Sequence, residues 1–123
     1  DTAITDAMTQ ATARAIDELG IQTILCISGS GFTIRSMARC RPSARILGLS
    51  ANERTVRQLT LSWGTEPLYL PEQGDIALRA AAALVAARDQ GGVAAGELVG
   101  ILAGTNIRSR STNVLRIERV PEA

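Results

Sequence analysis

Four short apolar runs, at 22–27, 46–49, 67–70 and 97–103, are separated by stretches with helical spacing or helix punctuation. Runs this short read as strands, the first of them buried, and parallel strands can be joined only by a crossover, usually a helix. The alternation therefore predicts βαβ units and a parallel sheet covered on both faces, a three-layer α/β/α sandwich. A fifth strand at 113–120 follows its predecessor with no helix between, so it is expected to run antiparallel at the end of a mostly parallel five-stranded sheet. Its alternation of Val114, Arg116, Glu118 and Val120 with Leu115, Ile117 and Arg119 is imperfect, as suits an edge or a subunit contact.

The helices are punctuated in the usual way. Ile4, Met8, Ala11, Ala15, Ile16 and Leu19 recur at helical spacing before Gly20. A short helix is expected over 33–41, stopped by Pro42. Ser50, Ala51 and Asn52 supply capping side chains for a helix over 53–61. Asp75 opens a long alanine-rich helix that ends at Gly91 and Gly92. The whole chain, 1–123, reads as one domain, because 123 residues bury one core and not two.

Composition decides which chemistries survive. The net charge is +1, with 13 basic residues against 12 acidic ones, which predicts no general affinity for nucleic acid or for membranes. All the basic residues are arginine, and there is no Lys and no His. Cys26 and Cys40 are too few for a disulfide framework or a structural zinc site. They read as small residues of a reducing compartment, and the chain as cytoplasmic. No apolar run is long enough to span a bilayer.

The segment "CISGSGFTIRSMARCRP" joins the first strand to a helix through Ser28, Gly29, Ser30 and Gly31. A dinucleotide fingerprint would need a third glycine where Ile34 stands. A P-loop needs a lysine. A nucleophile elbow on Ser30 would want glycine at position 28, and a Ser-His triad is excluded for want of histidine. A cysteine phosphatase built on Cys26 would need arginine where Phe32 stands. Anion binding survives: small residues let backbone N–H groups approach a ligand, and a helix N-terminus favours negative charge. Ser28, Ser30 and Thr33 add hydroxyls, and Arg35 adds a formal charge close by.

The order of motifs resembles the carboxy-terminal domain of pyruvate kinases. The resemblance is carried by Ser30-Gly31-Phe32-Thr33, Cys40-Arg41-Pro42, the run from Asn52 through Thr55, Arg57, Gln58 and Leu59, and the turn Gly64-Thr65-Glu66-Pro67. It continues through Gly96-Glu97-Leu98-Val99, Ala103-Gly104 and Thr112-Asn113-Val114-Leu115-Arg116-Ile117. It implies a regulatory domain that binds a phosphorylated allosteric effector and helps to assemble a homo-oligomer. In the full-length enzyme, phosphoryl passes from phosphoenolpyruvate to ADP with magnesium and potassium, in a barrel domain that these residues do not include. This segment itself holds no recognised catalytic residue, metal ligand or cofactor.

By the same resemblance the effector's phosphate lies over Ser28, Gly29, Ser30, Gly31, Phe32 and Thr33. Arg79, on the long helix, or Arg108 and Arg110, in the loop before the last strand, would hold its other end. Glu72 stands where the family's fructose-bisphosphate binders carry an aromatic, and Arg108 and Arg110 where glycines are common. A sugar monophosphate or a nucleotide monophosphate then fits as well as a bisphosphate. Arg79 reads alternatively as a solvated charge on a helix face, and Trp63 as a residue packed beneath the following turn. The competing classes are a stand-alone phosphate-binding relative and an assembly module without a working effector site.

Overall fold

The computed structural model describes residues 2–60, 64–71, 75–103 and 114–122. Its elements run α1 (Thr2–Leu19), β1 (Thr23–Ile27), α2 (Phe32–Arg39), β2 (Arg45–Ser50), α3 (Glu53–Leu59), β3 (Thr65–Tyr69), α4 (Ile76–Gln90), β4 (Leu98–Ala103) and β5 (Val114–Arg119). The strands form one sheet in the order β3-β2-β1-β4-β5. β1 pairs in parallel with β2 and β4, and β2 with β3, while β5 lies antiparallel to β4, Ile117 opposite Gly100. The expected α/β architecture, with its antiparallel last strand, is the observed one.

Local chemistry sets the element ends. Asn52 Oδ1 accepts from the N–H groups of Arg54 and Thr55 at the start of α3, and Asp75 Oδ1 accepts from Leu78 N at the start of α4. α2 stops two residues before the expected 41, because Arg41 takes a positive φ of 45° on the way to Pro42. At the amino edge of the sheet Arg45 Nε donates to Thr23 Oγ1 at 3.1 Å, and Arg45 Nη1 meets Glu66 Oε2 at 3.0 Å. Thr23 Oγ1 in turn lies 3.3 Å from Glu97 Oε2. Both partners of the Arg45–Glu66 pair are substantially exposed, so the pair contributes register more than stability.

The core divides at the sheet. On one face Leu25, Ile27, Leu47, Leu49, Val99, Ile101 and Ala103 meet the alanines of α4. On the other, Ile24, Cys26, Ile46 and Leu102 meet Ile16 of α1, Ile34 and Met37 of α2, and Leu59 of α3. Each fully buried Ile, Leu or Met side chain contributes about 1.5–3 kcal/mol. α1 meets the expectation at Met8 and Ile16, which face the core, and departs from it elsewhere. Ile4 and Leu19 are exposed and Ala11 faces outward, while Thr5, Thr9 and Thr12 are buried beside Ile16. Thr9 and Thr12 donate to the carbonyls of Asp6 and Met8 on their own helix, which removes the penalty for burying a hydroxyl.

This topology fixes where a site can form. From β1 the chain steps outward through β2 to β3, with α2 and α3 packed on one face. It then returns along α4, on the opposite face, to lay β4 on the far side of β1. The order of strands therefore reverses between β1 and β4. In open α/β sheets the crevice beyond the carboxyl ends of the strands at such a reversal is where ligands bind.

Candidate functional site

The turn after β1 stands at that reversal. Ile27, the last residue of β1, pairs with Leu49 on one side and with Ala103 on the other. Ser28 extends the ladder by one bond, its N–H donating to Leu49 O at 3.0 Å. The chain then leaves the sheet and folds on itself. Ser28 Oγ accepts from Gly31 N at 3.0 Å, and Ser30 Oγ accepts from Phe32 N at 3.3 Å. Gly31 has φ 84° and ψ 0°, a left-handed conformation that glycine adopts without a Cβ penalty. Its carbonyl accepts the first helical bond, from Arg35 N at 2.9 Å.

Neighbouring elements hold the turn down. The Gly29 carbonyl accepts from Ser50 Oγ at 3.2 Å and from Thr55 Oγ1 at 3.0 Å. Ser50 closes β2 and Thr55 lies in the first turn of α3, so strand and helix meet on one loop oxygen. Ser50 Oγ also accepts from Asn52 N at 3.1 Å, coupling the turn to the cap of α3.

The arrangement is suited to an anion. α2 begins at Gly31 without a side-chain cap, so no carboxylate or hydroxyl of its N-cap residue competes for its positive end. The serine hydroxyls act as acceptors for the turn's own backbone, and each keeps its proton to donate outward. Ser28, Gly29 and Phe32 are half-buried, Ser30 is exposed, and Gly31 and Thr33 are buried. From the sequence, the turn N–H groups are expected to donate to the ligand. Those of Gly31 and Phe32 are engaged within the turn, so the hydroxyls carry more of the outward donor capacity than expected.

Arg79 is 3% exposed, which overturns the reading of a solvated helix-face charge. It sits in the first turn of α4, which starts beyond the carboxyl end of β3. α4 therefore begins at the same edge of the sheet as the turn after β1. Arg108 and Arg110 fall between Ala103 and Val114, outside the described residues, as do Trp63 and Glu72.

Arg35, which the sequence puts near the turn but outside the predicted set, joins the site in the structure. Its Nη2 donates to Ser30 O at 3.0 Å, and its Nη1 lies 2.6 Å from where a Cβ on residue 31 would be. Helical side chains lean toward the N-terminus and cover the preceding turn, so a residue four places after Gly31 was the one to suspect.

The cysteines offer no nucleophile at this edge. Cys26 is fully buried in β1, and burial pushes its thiol far above the ordinary range; Cys40 is exposed at the end of α2. Among the described residues no group of three or more His, Cys, Asp or Glu side chains converges to hold a metal ion. Among them, too, no helix is long and apolar enough to cross a membrane.

Fold and edge together define an open, mostly parallel α/β domain with a serine–glycine turn at its switch point. The chain belongs to the pyruvate kinase alpha/beta domain family, which it matches over residues 6–118. The pyruvate kinase of Lactobacillus delbrueckii subsp. bulgaricus is 33% identical over 118 residues, covering 94% of this chain and 20% of that protein. That of Geobacillus stearothermophilus is 32% identical over 122 residues, covering 98% of this chain and 21% of that protein. That of Methylorubrum extorquens is 32% identical over 110 residues, covering 83% and 23% respectively. The chain thus spans roughly a fifth of the length of the curated relatives it matches.

Proposed function

We propose that this chain is the regulatory domain of a cytoplasmic pyruvate kinase, and that it binds a phosphorylated small-molecule effector over residues 28–33. The observation that carries this reading is the turn itself. At the reversal between β1 and β4, two serine hydroxyls are folded onto the backbone at the start of a helix whose N-cap residue, Gly31, has no side chain. Arg79 supplies buried positive charge at the same edge, and Arg108 and Arg110 are the candidates for the effector's far end. A sugar phosphate or nucleotide monophosphate matches this set. Phosphoryl transfer from phosphoenolpyruvate to ADP, with its magnesium and potassium, is assigned to the part of the enzyme outside this chain. The described residues offer no convergent metal-ligand set, so no step through either ion is placed here.

Calorimetry with inorganic phosphate, glucose 6-phosphate, AMP and fructose 1,6-bisphosphate tests the reading. Thr33→Ala should weaken binding about tenfold or more, since a charge-assisted bond contributes about 1.5–3 kcal/mol and about 1.4 kcal/mol is one decade. If none of the four binds below the millimolar range, or if Thr33→Ala binds like the parent, the turn is only a turn.

A second role, in assembly, has its own support. The two edges of the sheet differ: Pro67 on β3 cannot donate to a ladder, whereas β5 carries no proline and leaves Ile117 38% exposed among the mixed charges of Arg116, Glu118 and Arg119. Self-association of the domain through β5 is the reading these edges favour.

A further inference from the structure

The space directly above Gly31, where a bound phosphate would be expected to approach the turn, is filled by the guanidinium of Arg35. Its Nη1 lies 2.6 Å, and its Cζ 3.3 Å, from the position of a Cβ on residue 31. Its Nη2 donates to Ser30 O at 3.0 Å. A guanidinium offers five donors in a planar fork, and the Ser30 carbonyl engages one of its nitrogens. Arg35 is exposed, so it reaches this position from solvent and is not locked there by packing. Gly31 is what makes the room: any side chain there would displace the guanidinium.

We infer that Arg35 is the charged partner of the anion in this site, held over the turn by the Ser30 carbonyl and presenting its remaining donors to a phosphate group. This rests on the phosphate-binding reading of residues 28–33 and adds to it the residue that sets charge selectivity. The Ser28 and Ser30 hydroxyls are neutral donors and distinguish anions by shape. A guanidinium pairs with two oxygens of a phosphate at once and favours the doubly charged form. Arg79 lies buried on another element and Arg35 stands on the turn's own helix, so Arg35 should act on every phosphate, inorganic phosphate included.

The test titrates the chain with inorganic phosphate and with glucose 6-phosphate, at low and at near-physiological ionic strength, for the parent, Arg35→Gln and Arg35→Lys. The expected result is at least a tenfold loss for both probes in Arg35→Gln, with a shallower dependence of affinity on salt, because one screened charge pair is gone. Arg35→Lys should recover part of the affinity and the parent's salt dependence. A purely structural role would lower affinity without changing the salt slope, and lysine would not restore it; that result overturns the inference. If the parent binds both probes and Arg35→Gln binds them equally well, Arg35 is excluded while the turn keeps its function. If the parent binds neither, the phosphate reading fails and this inference falls with it. Urea midpoints of all three proteins establish that the comparison is between folded chains.

Discussion

The Gly29 carbonyl gives the sharpest test of how the turn is held. Two buried hydroxyls, Ser50 Oγ and Thr55 Oγ1, donate to this one oxygen from two different elements. Thr55→Val keeps the shape of the side chain and deletes one donor. A hydrogen bond contributes about 0.5–1.5 kcal/mol net, so the single change should cost about 1 kcal/mol while Ser50 still satisfies the carbonyl. Ser50→Ala should cost somewhat more, because it also deprives Asn52 N of its acceptor. The double variant leaves a carbonyl with neither protein donor, and that desolvation penalty is about 1–3 kcal/mol on its own. The two changes should therefore be more than additive, with a coupling energy of about 1 kcal/mol or more. Urea denaturation followed by far-ultraviolet circular dichroism measures all four corners of the cycle. A parallel thermal scan should show roughly 4 °C lost per kcal/mol for a domain of this size. Phosphate affinity should fall along with stability, since the same carbonyl fixes the turn. Additivity within about 0.5 kcal/mol, the scatter expected of independent sites, would refute the convergence of the two donors.

The cysteines should separate by reactivity: native protein should expose one thiol, Cys40, to an aromatic disulfide reagent, and unfolding should release Cys26 as the second. Burial holds the Cys26 thiol protonated while the unfolded thiol ionises near its ordinary 9.0, so its contribution is complete below that pH. Above it, stability should fall by about 1.4 kcal/mol per pH unit, a slope that Cys26→Ala should remove from urea midpoints measured between pH 8 and 10. Gly100→Ala should destabilise by about 1–3 kcal/mol, because its Cβ would lie 2.7 Å from Ile24 Cδ1, and Ile24→Val should recover part of the loss in the same denaturation assay. Pairing of β5 with its own copy, centred on Ile117, would set Arg116 opposite Glu118 of the second copy. Sedimentation should accordingly show an associated species that Ile117→Lys dissociates, and a clean monomer at high concentration would count against the contact.

Legibility tracked the kind of force at work. β1, β2 and β4 were readable as apolar runs and β5 as an alternating segment that follows β4 with no helix between, and α3 and α4 because Asn52 and Asp75 announce their first turns by local hydrogen bonds. Residues 28–33 were found because glycine and serine have local reasons to sit in such a turn. The inward face of α1 was legible only in part, at Met8 and Ile16. Apolar spacing picked Ile4, Ala11 and Leu19, yet Thr5, Thr9 and Thr12 share the same period with Ile16, and a threonine that bonds to its own helix behaves as a small apolar residue. The burial of Arg79 and the placement of Arg35 over Gly31 depend on what lies across the fold or folds back along a helix. Composition carries neither.

The threonine face of α1 has a mechanical meaning. A helix seated by leucines must lift branched side chains out of fitted recesses before it can move. α1 is seated by Thr5, Thr9, Thr12 and Ile16 with Met8 packed partly buried beside them, so threonine supplies most of its fully buried face. The Thr9 and Thr12 hydroxyls, turned back onto their own helix, add no tether to the sheet. Less apolar area holds this helix than a leucine face of equal length would offer, and stability is not spread evenly over a fold. A load delivered to α1 is therefore expected to shift it more readily than it would a leucine-faced helix in the same place.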